Sequence, residues 1–185
     1  MTIDDLRNTD IYLIDQLLKG RIQPYQKVLD IGCGSGRNLI PLEKMNCDLY
    51  GIDLSPQALQ TCQMQLSSFK NDQFYCGNLM DHPFQKNYFD LVICNALFHF
   101  TDDQTSFMQW ANKAWEALKP GGLFFARLST KIGLPNAQVP GFKYLATEQD
   151  LIDCEKQWQA RRLDPLKTTL VESARTMTTW VLTKS

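Results

Sequence analysis

Hydrophobic positions along this chain form short runs that alternate with longer segments of helical period. Five of the short runs are rich in β-branched and other apolar side chains, and they predict strands over residues 27–31, 48–53, 73–76, 89–95 and 123–128. Apolar residues at helical spacing fill much of the sequence between these runs. Because strands that alternate with helices pair in parallel, the pattern predicts a parallel sheet with helices on both of its faces.

Start and stop signals locate the helices. An opening helix is predicted over residues 3–20, where several apolar side chains lie near one face and a glycine ends the segment. Ser55 and Thr147 are suited to cap two later helices, because their hydroxyls can accept hydrogen bonds from the first free amides. The later helices are predicted over residues 37–44, 56–70, 103–118 and 148–157.

The hydrophobic pattern changes in the C-terminal part of the chain. Residues 131–146 hold two glycines and two prolines without a clear period, which predicts a long loop of a functional or mobile kind. Two extended runs, at residues 162–172 and 176–183, are separated by only a few polar residues. They are too close for a crossover connection, so they predict an antiparallel hairpin and bring the expected strands to seven.

Composition limits the class of protein. The chain has 185 residues, 44% of them hydrophobic, which suits a single domain over residues 1–185. Its 19 basic and 20 acidic side chains leave a net charge of −1 and no basic stripe, so nucleic acid is not an expected partner. The longest apolar run, residues 91–100, is interrupted by Asn95 and His99, so no membrane-spanning or targeting segment is expected.

The cysteines indicate a reducing environment. Six of them stand at positions 33, 47, 62, 76, 94 and 154, and no two form a Cys-x-x-Cys pair. This spacing argues against a disulfide framework and against a metal site. We therefore expect reduced thiols and a cytoplasmic protein.

The first predicted strand ends in an acidic side chain and leads into three alternate glycines. Asp30 is followed by Gly32, Gly34 and Gly36, which allow a sharp turn and a close approach of the backbone to a ligand. The spacing departs from the dinucleotide fingerprint G-x-G-x-x-G and from the P-loop, so neither pyrophosphate nor triphosphate is favoured. Asp53 ends the second strand, where a carboxylate can accept hydrogen bonds from both hydroxyls of a ribose.

Five elements in this order closely resemble the class I S-adenosylmethionine-dependent methyltransferases, over about residues 25–127. They are Asp-x-Gly-x-Gly-x-Gly from Asp30, the acid Asp53, Gly77-Asn78-Leu79, the run Phe89–Asn95 and Leu118-Lys119-Pro120-Gly121-Gly122. The resemblance is nearest to the small-molecule branch, which includes methyltransferases of quinone biosynthesis. It implies methyl transfer from S-adenosylmethionine, with S-adenosylhomocysteine as product and without a metal. The prediction is an α/β fold: a doubly wound, seven-stranded, mostly parallel sheet in the order 3-2-1-4-5-7-6, whose last strand is antiparallel.

The resemblance also implies roles at matching positions. The cofactor-binding set comprises Asp30, Gly32, Cys33, Gly34, Gly36, Asp53, Leu54, Asn78, Leu79 and Asn95. Asp30 would face the amino-acid end of the cofactor, Asp53 would bind the ribose and Leu54 would lie against the adenine. Asn78 stands where many relatives have aspartate, and its amide oxygen can still accept a hydrogen bond from the adenine amino group.

Two residues at or after the fourth strand are candidates for catalysis. Asn95 would position the reacting groups beside the sulfonium. His99 would act as general base if the acceptor is a hydroxyl, because an unperturbed imidazole titrates near neutral pH. Structural alternatives stay open, since His99 lies in an apolar run that equally suits a core histidine and Asp30 could serve only to hold loop amides.

The acceptor is predicted to be a small molecule. Residues 95–98 lack the two prolines that follow the fourth strand in many enzymes that methylate nucleic-acid bases. We expect residues 1–24 to form an N-terminal helix or lid, residues 25–128 the cofactor core, and residues 129–185 the acceptor loop, a helix and the hairpin. A protein methyltransferase and a non-catalytic module that binds S-adenosylmethionine are the alternatives, and the sequence leaves the acceptor and the oligomeric state open.

Overall fold

A twisted sheet forms the centre of the molecule. The computed structural model describes residues 2–171 and 175–185, and the strands within them are β1 (Lys27–Ile31), β2 (Asp48–Asp53), β3 (Phe74–Cys76), β4 (Phe89–Asn95), β5 (Leu118–Thr130), β6 (Arg161–Arg162), β7 (Lys167–Val171) and β8 (Arg175–Thr183). Their order in the sheet is β3-β2-β1-β4-β5-β8-β6, and β7 also pairs with β8. Neighbours from β3 to β5 pair in parallel, whereas β5, β6 and β7 pair with β8 in antiparallel fashion. The predicted fold class and strand order are confirmed.

The C-terminal hairpin differs from its prediction in one detail. The run predicted over residues 162–172 is divided into β6 and β7, so the described residues form eight strands instead of seven. Pro165 has no amide to donate to a ladder, and Asp164 turns away to accept hydrogen bonds from Arg21 at 2.6 and 3.1 Å. Glu172, the last residue of the predicted run, lies outside the described residues.

Helices cover both faces of the sheet, as predicted. They are α1 (Ile3–Leu6), α2 (Ile11–Leu18), α3 (Ile40–Glu43), α4 (Pro56–Gln65), α5 (Gln104–Ala117) and α6 (Glu148–Trp158). On one face, Val28 of β1 packs in a cluster that includes Leu59 of α4. On the other face, Leu29 shares a cluster with Phe107 of α5 and Leu151 of α6. Adjacent residues of one strand therefore serve opposite faces, which is the period of two expected of a strand buried on both sides.

The predicted caps are present. Oγ of Ser55 accepts a hydrogen bond from the Ala58 amide at 3.2 Å, and Oγ1 of Thr147 accepts one from the Asp150 amide at 3.2 Å. Helix α4 ends earlier than predicted, because Leu66 has an extended backbone and buries its side chain. None of the helices in the described part of the chain is long and apolar enough to cross a membrane.

The opening segment forms two helices where the sequence predicted one. Residues 7–10 separate α1 from α2, and the Asp10 side chain caps α2. The Asp10 amide donates to Oδ1 of Asn38 at 3.0 Å, and Asp10 is only 4% exposed. These long-range contacts fix the backbone of Asp10 outside the helical region, so tertiary structure overrides the continuous apolar pattern.

Candidate functional site

A glycine loop joins β1 to α3 at the carboxyl edge of the sheet. The Gly32 amide donates to the Ile52 carbonyl at 2.8 Å, which fixes the loop against β2. At Gly36, with φ of +83°, an added Cβ would lie 2.6 Å from Sγ of Cys62, so a side chain does not fit. At Gly34, with φ of +54°, an added Cβ would meet nothing within 4 Å. The backbone therefore faces open space at the middle glycine of the loop.

Asp30 lies near the end of β1, just before the loop. It is 1% exposed, and neither carboxylate oxygen has a hydrogen-bond partner among residues 2–171 and 175–185. Burial raises the pKa of Asp30 to about 7, the nearby charge of Arg37 opposes this rise, and the Asp53 carboxylate adds to it. A buried carboxylate without a partner is unfavourable, so this side chain is suited to meet a cationic or hydrogen-bond-donating group of a ligand.

Asp53 ends β2 directly beside the loop. Its Oδ2 accepts a hydrogen bond from the Gly34 amide at 2.8 Å, and its Oδ1 accepts one from the Ser55 amide at 2.9 Å. Each carboxylate oxygen has further acceptor capacity, and the side chain is only half-buried. The next residue, Leu54, is 66% exposed and leaves an apolar side chain beside the carboxylate. Asp53 therefore provides hydrogen-bond acceptors for ligand hydroxyls, and Leu54 provides an adjacent apolar surface on which a flat ring can pack.

A cleft of about 590 Å³, counted with its open mouth, lies beyond the carboxyl ends of β1, β2 and β4. Its lining comprises Ile31, Gly32, Ile52, Asp53, Leu54, Gly77, Asn78, Leu79, Ala96, Leu97, Phe100 and Trp110. Five of the predicted cofactor-binding residues are in this lining, while Asp30, Cys33, Gly34, Gly36 and Asn95 are not. Oδ1 of Asn78 accepts a hydrogen bond from the Met80 amide at 2.8 Å, which leaves this oxygen one more lone pair.

Asn95 is held away from the cleft. Its Nδ2 donates to Oδ2 of Asp10 at 3.1 Å, and Nη1 of Arg127 donates to the same oxygen at 2.9 Å. The Arg127 guanidinium also lies 4.7 Å from the centre of the Tyr12 ring. This buried cluster joins the N-terminal segment to the ends of β4 and β5, and the neighbouring Ala96 lines the cleft instead. The predicted role of Asn95 beside the reacting groups stays a prediction.

His99 lies in the short 3₁₀ helix Phe98–Phe100 and is 3% exposed. Its ring centre lies 3.9 Å from that of Phe142 and 4.5 Å from that of Phe100, so two aromatic rings cover it. Burial, with the positive charge of Arg175, lowers the pKa of His99 to about 4. The imidazole is therefore uncharged at neutral pH, as a general base must be before it accepts a proton.

Comparison with known proteins identifies the family. Residues 29–126, more than half of the chain, match the family described as Methyltransferase domain. The chain belongs to this methyltransferase family. The matched span runs from β1 to β5 and therefore includes the glycine loop, Asp53 and the whole cleft lining.

Curated relatives of this methyltransferase domain act on different acceptors. The chain is 30% identical over 119 residues to a malonyl-acyl-carrier-protein O-methyltransferase of Halalkalibacterium halodurans, covering 61% of this chain and 42% of the relative. It is 31% identical over 136 residues to the 18S rRNA (guanine(1575)-N(7))-methyltransferase of Saccharomyces cerevisiae, covering 65% of this chain and 49% of the relative. The chain thus spans about half the length of the curated relatives it matches.

Solved structures match over nearly the whole domain. Magnesium protoporphyrin IX methyltransferase of Synechocystis PCC 6803, solved with bound S-adenosylhomocysteine, superposes with a TM-score of 0.74 at 18% identity. The match covers 99% of this chain and 84% of that chain. At this identity the likeness concerns the fold, and it confirms the predicted class I methyltransferase architecture.

The methyltransferase domain has cleft residues that the sequence did not single out. Leu97 and Phe100 line the cleft from the segment after β4, and Trp110 lines it from the middle of α5. Leu97 and Phe100 could have been predicted, because they directly follow a strand whose end was expected to form the site. Trp110 lies within an amphipathic helix whose other large side chains enter the core, so no local pattern distinguishes it.

Proposed function

We propose that this domain binds S-adenosylmethionine in the cleft and transfers its methyl group to a small-molecule acceptor. The observation that carries the proposal is Asp30, a buried carboxyl group whose two oxygens have no hydrogen-bond partner among the described residues. It lies beside a glycine loop whose middle residue has open backbone. The amino group of a methionine-like ligand is a cation of the kind that such a carboxylate requires.

The remaining residues fit the other parts of this cofactor. The carboxylate of the methionine part would lie beside the glycine loop near Gly34, because the Cys33 amide already donates to the Ile52 carbonyl at 3.1 Å. Asp53 would accept hydrogen bonds from the ribose hydroxyls, and Leu54 would lie against the adenine with Leu79. Asn78 would accept a hydrogen bond from the adenine amino group through the lone pair left on Oδ1. These assignments require no metal ligand, and they use Asp30 and the glycine loop in addition to the residues that line the cleft.

Methyl transfer requires mainly that the protein hold the methyl donor and the acceptor in the correct orientation. S-adenosylmethionine, when bound, supplies a methyl group on a sulfonium whose leaving group is already activated. Well-oriented reactants can recover about 7–11 kcal/mol of a barrier, so the residues that shape the cleft carry most of the task. Asn95 would hold the end of β4 in place through its bond to Asp10, and His99 would accept the proton of a hydroxyl acceptor. Its pKa, lowered to about 4, keeps the imidazole uncharged at neutral pH but makes it a weaker base than an ordinary histidine, so this role requires a polar acceptor group to raise the pKa on binding.

The acceptor class draws support from the relatives and the charge. One relative is named as a malonyl-acyl-carrier-protein O-methyltransferase, and the net charge of −1 gives little attraction for a phosphate backbone. RNA methylation is the second candidate, favoured by the rRNA methyltransferase relative. Binding of a short RNA that weakens steeply with added salt would favour that candidate, whereas we expect no such binding.

The cellular setting is part of the proposal. All six cysteines are free thiols and five of them are buried. Proteins rich in free cysteine persist in reducing compartments, which supports a cytoplasmic location.

Calorimetric titration with S-adenosylhomocysteine, beside a titration with NAD⁺, tests the proposed function. We expect the first ligand to bind near 1 μM, about −8 kcal/mol, and the second to give no measurable heat. NAD⁺ is the matched control because it has the same adenosine but needs a pyrophosphate site. Absence of S-adenosylhomocysteine binding, or equal binding of the two, would contradict the proposal.

A further inference from the structure

A second cleft lies next to the cofactor cleft and is formed by the long segment after β5. Its walls include Lys131, Gln138, Val139, Phe142, Lys143 and Leu145. The base of this segment is closed by a parallel bridge between Thr130 and Ala146, with the Lys131 amide donating to the Ala146 carbonyl at 2.9 Å. The cleft therefore has an anchored base and a lining that mixes apolar and cationic side chains.

An aromatic cluster connects the two clefts. Phe100 lines the cofactor cleft and Phe142 lines the second cleft. His99 lies between them, with ring centres 4.5 and 3.9 Å away, and the two phenyl rings are themselves 5.6 Å apart. The three rings thus extend from one cleft to the other, and one of them belongs to the candidate base.

Two cations flank the second cleft. The Arg175 guanidinium lies 5.4 Å from the centre of the Phe142 ring. Thr130 pairs with Thr176 at the end of the β5–β8 ladder, so Lys131 and Arg175 stand at the next position of each strand. Neither makes an ion pair with any residue in the described ranges, whereas Lys143 in the same cleft is 2.6 Å from Asp102.

The positive charge of Arg175 also acts on His99 in the aromatic cluster. Arg175 is the charged group that, after burial, contributes to the lowered pKa of His99. This contribution places Arg175 within electrostatic range of the imidazole. A negative group between Lys131 and Arg175 would be attracted by two cations over an apolar wall, in surroundings less polar than water.

We propose that the second cleft anchors an apolar acceptor through its anionic group, a carboxylate or a phosphate held by Arg175 and Lys131, while the methyl-accepting end of the acceptor extends past Phe142 into the cofactor cleft. The cleft's role as an acceptor site rests on the proposed methyl transfer, while its preference for anions rests on the two cations alone. The apolar body of the acceptor lies against Phe142 and Val139. Charge-assisted hydrogen bonds to the anion orient the acceptor towards the aromatic cluster.

Titration of three small probes, followed by NMR on the ring signals of His99 and Phe142, tests the inference. The probes are benzoate, phenyl phosphate and benzamide, which share a phenyl ring and differ in the charged group. We expect at least one anion to shift these signals, with an affinity at least about tenfold above that of benzamide. The anion that binds with the higher affinity identifies the anionic group of the acceptor as a carboxylate or a phosphate.

A pair of variants tests the contribution of Arg175. Arg175→Gln is expected to weaken binding of the preferred anion by about tenfold, the loss of one hydrogen bond to a charged group. Lys70→Gln is the matched control, because it removes one positive charge from the far edge of the sheet, where Lys70 pairs with Asp48. Equal binding of benzamide and both anions, or full affinity in Arg175→Gln, would overturn the inference.

A parallel titration with S-adenosylhomocysteine separates this inference from the proposed function. Anion preference without S-adenosylhomocysteine binding would contradict the proposed function and leave the anion site standing. S-adenosylhomocysteine binding without anion preference would overturn only the anion site. The Arg175→Gln variant is expected to keep its affinity for S-adenosylhomocysteine, because Arg175 does not line the cofactor cleft.

Discussion

The backbone amide of Gly34 donates a hydrogen bond to Oδ2 of Asp53 over 2.8 Å. This contact joins the middle of the glycine loop to the carboxylate that ends the neighbouring strand. The loop and the carboxylate are therefore held in one geometry by the protein itself. Such preorganisation lowers the entropy that a ligand must lose on binding, and it makes the Gly34 backbone a sensitive position.

Gly34→Ala is expected to separate folding from binding. The substitution should cost about 1–2 kcal/mol of stability, because an alanine is strained in the left-handed region. Its methyl group would stand in the open space beside the loop, so we expect S-adenosylhomocysteine affinity to fall by at least about tenfold. Gly121→Ala is the matched control, with φ of +76° and equally open surroundings at the other end of the sheet. Equal calorimetric affinity in both variants would contradict the placement of the ligand over Gly34.

Asp30 should couple ligand binding to proton release. In the free protein burial raises its pKa to about 7, and a ligand ammonium beside it would favour the charged form. At pH 6 the free carboxyl group is mostly protonated. Binding of S-adenosylhomocysteine should therefore release about one proton for each ligand bound. Calorimetry in two buffers with different ionisation enthalpies measures this number. A value of zero, unchanged in Asp30→Asn, would count against the proposed contact.

The same carboxyl group should shape the stability of the free protein. Its folded pKa lies above the unfolded value of 3.8, so between 3.8 and about 7 the folded state holds a proton that the unfolded chain has lost. Stability from this group is therefore present at low pH and is lost as the pH rises through that window. Asp30→Asn should remove this loss and be more stable than the parent near pH 8 in urea unfolding. A variant less stable than the parent at every pH would contradict the unpaired state of Asp30.

His99 should titrate far below an ordinary histidine. NMR of its ring protons is expected to give a pKa near 4, because the imidazole is buried under Phe100 and Phe142 and faces the charge of Arg175. Since the folded pKa is below the unfolded one, stability from this group is lost as the pH falls from 6.5 through about 4. Arg175→Gln should raise the measured pKa. A midpoint at the ordinary value would show that the imidazole is solvated, and an unchanged pKa in Arg175→Gln would show that the charge of Arg175 does not act on it.

The buried Asp10 should be a major stabilising residue. Asp10→Ala would leave the Arg127 guanidinium without its carboxylate, which typically costs about 3–5 kcal/mol in the free energy of unfolding. Asp4→Ala is the matched control, since Asp4 pairs with Arg7 on the surface of the same segment and should cost less than about 1 kcal/mol. Urea unfolding measures both variants. Similar small losses would mean that the interior cluster does not hold the N-terminal segment.

Much of the fold followed from local sequence. β1, β2 and β4 have the predicted bounds, because each is an apolar run buried on both faces and ended by an acid, a glycine loop or an amide. The caps at Ser55 and Thr147 followed from side chains that compete well for free amides. The glycine loop and Asp53 were predictable together because parallel strands bring their carboxyl ends to one edge.

Other features depended on contacts between distant segments. The break before α2 arises because Asp10 meets Asn38, Asn95 and Arg127, which no local period reveals. The same contacts bind the Asn95 side chain to Asp10, while Ala96 lines the cleft at the end of β4. Pro165 argued against one continuous strand over residues 162–172, but the extended pattern around it led to the prediction of a single strand.

The most direct measurement is the affinity of Asp53→Ala for S-adenosylhomocysteine by calorimetry, beside the parent protein and Asp48→Asn. Asp53 and Asp48 end and begin the same strand, but only Asp53 lines the cleft. We expect binding near 1 μM in the parent and in Asp48→Asn, and at least about tenfold weaker binding in Asp53→Ala, where the ribose hydroxyls lose a charged acceptor. Full affinity in Asp53→Ala, or no binding to the parent, would contradict the cofactor site.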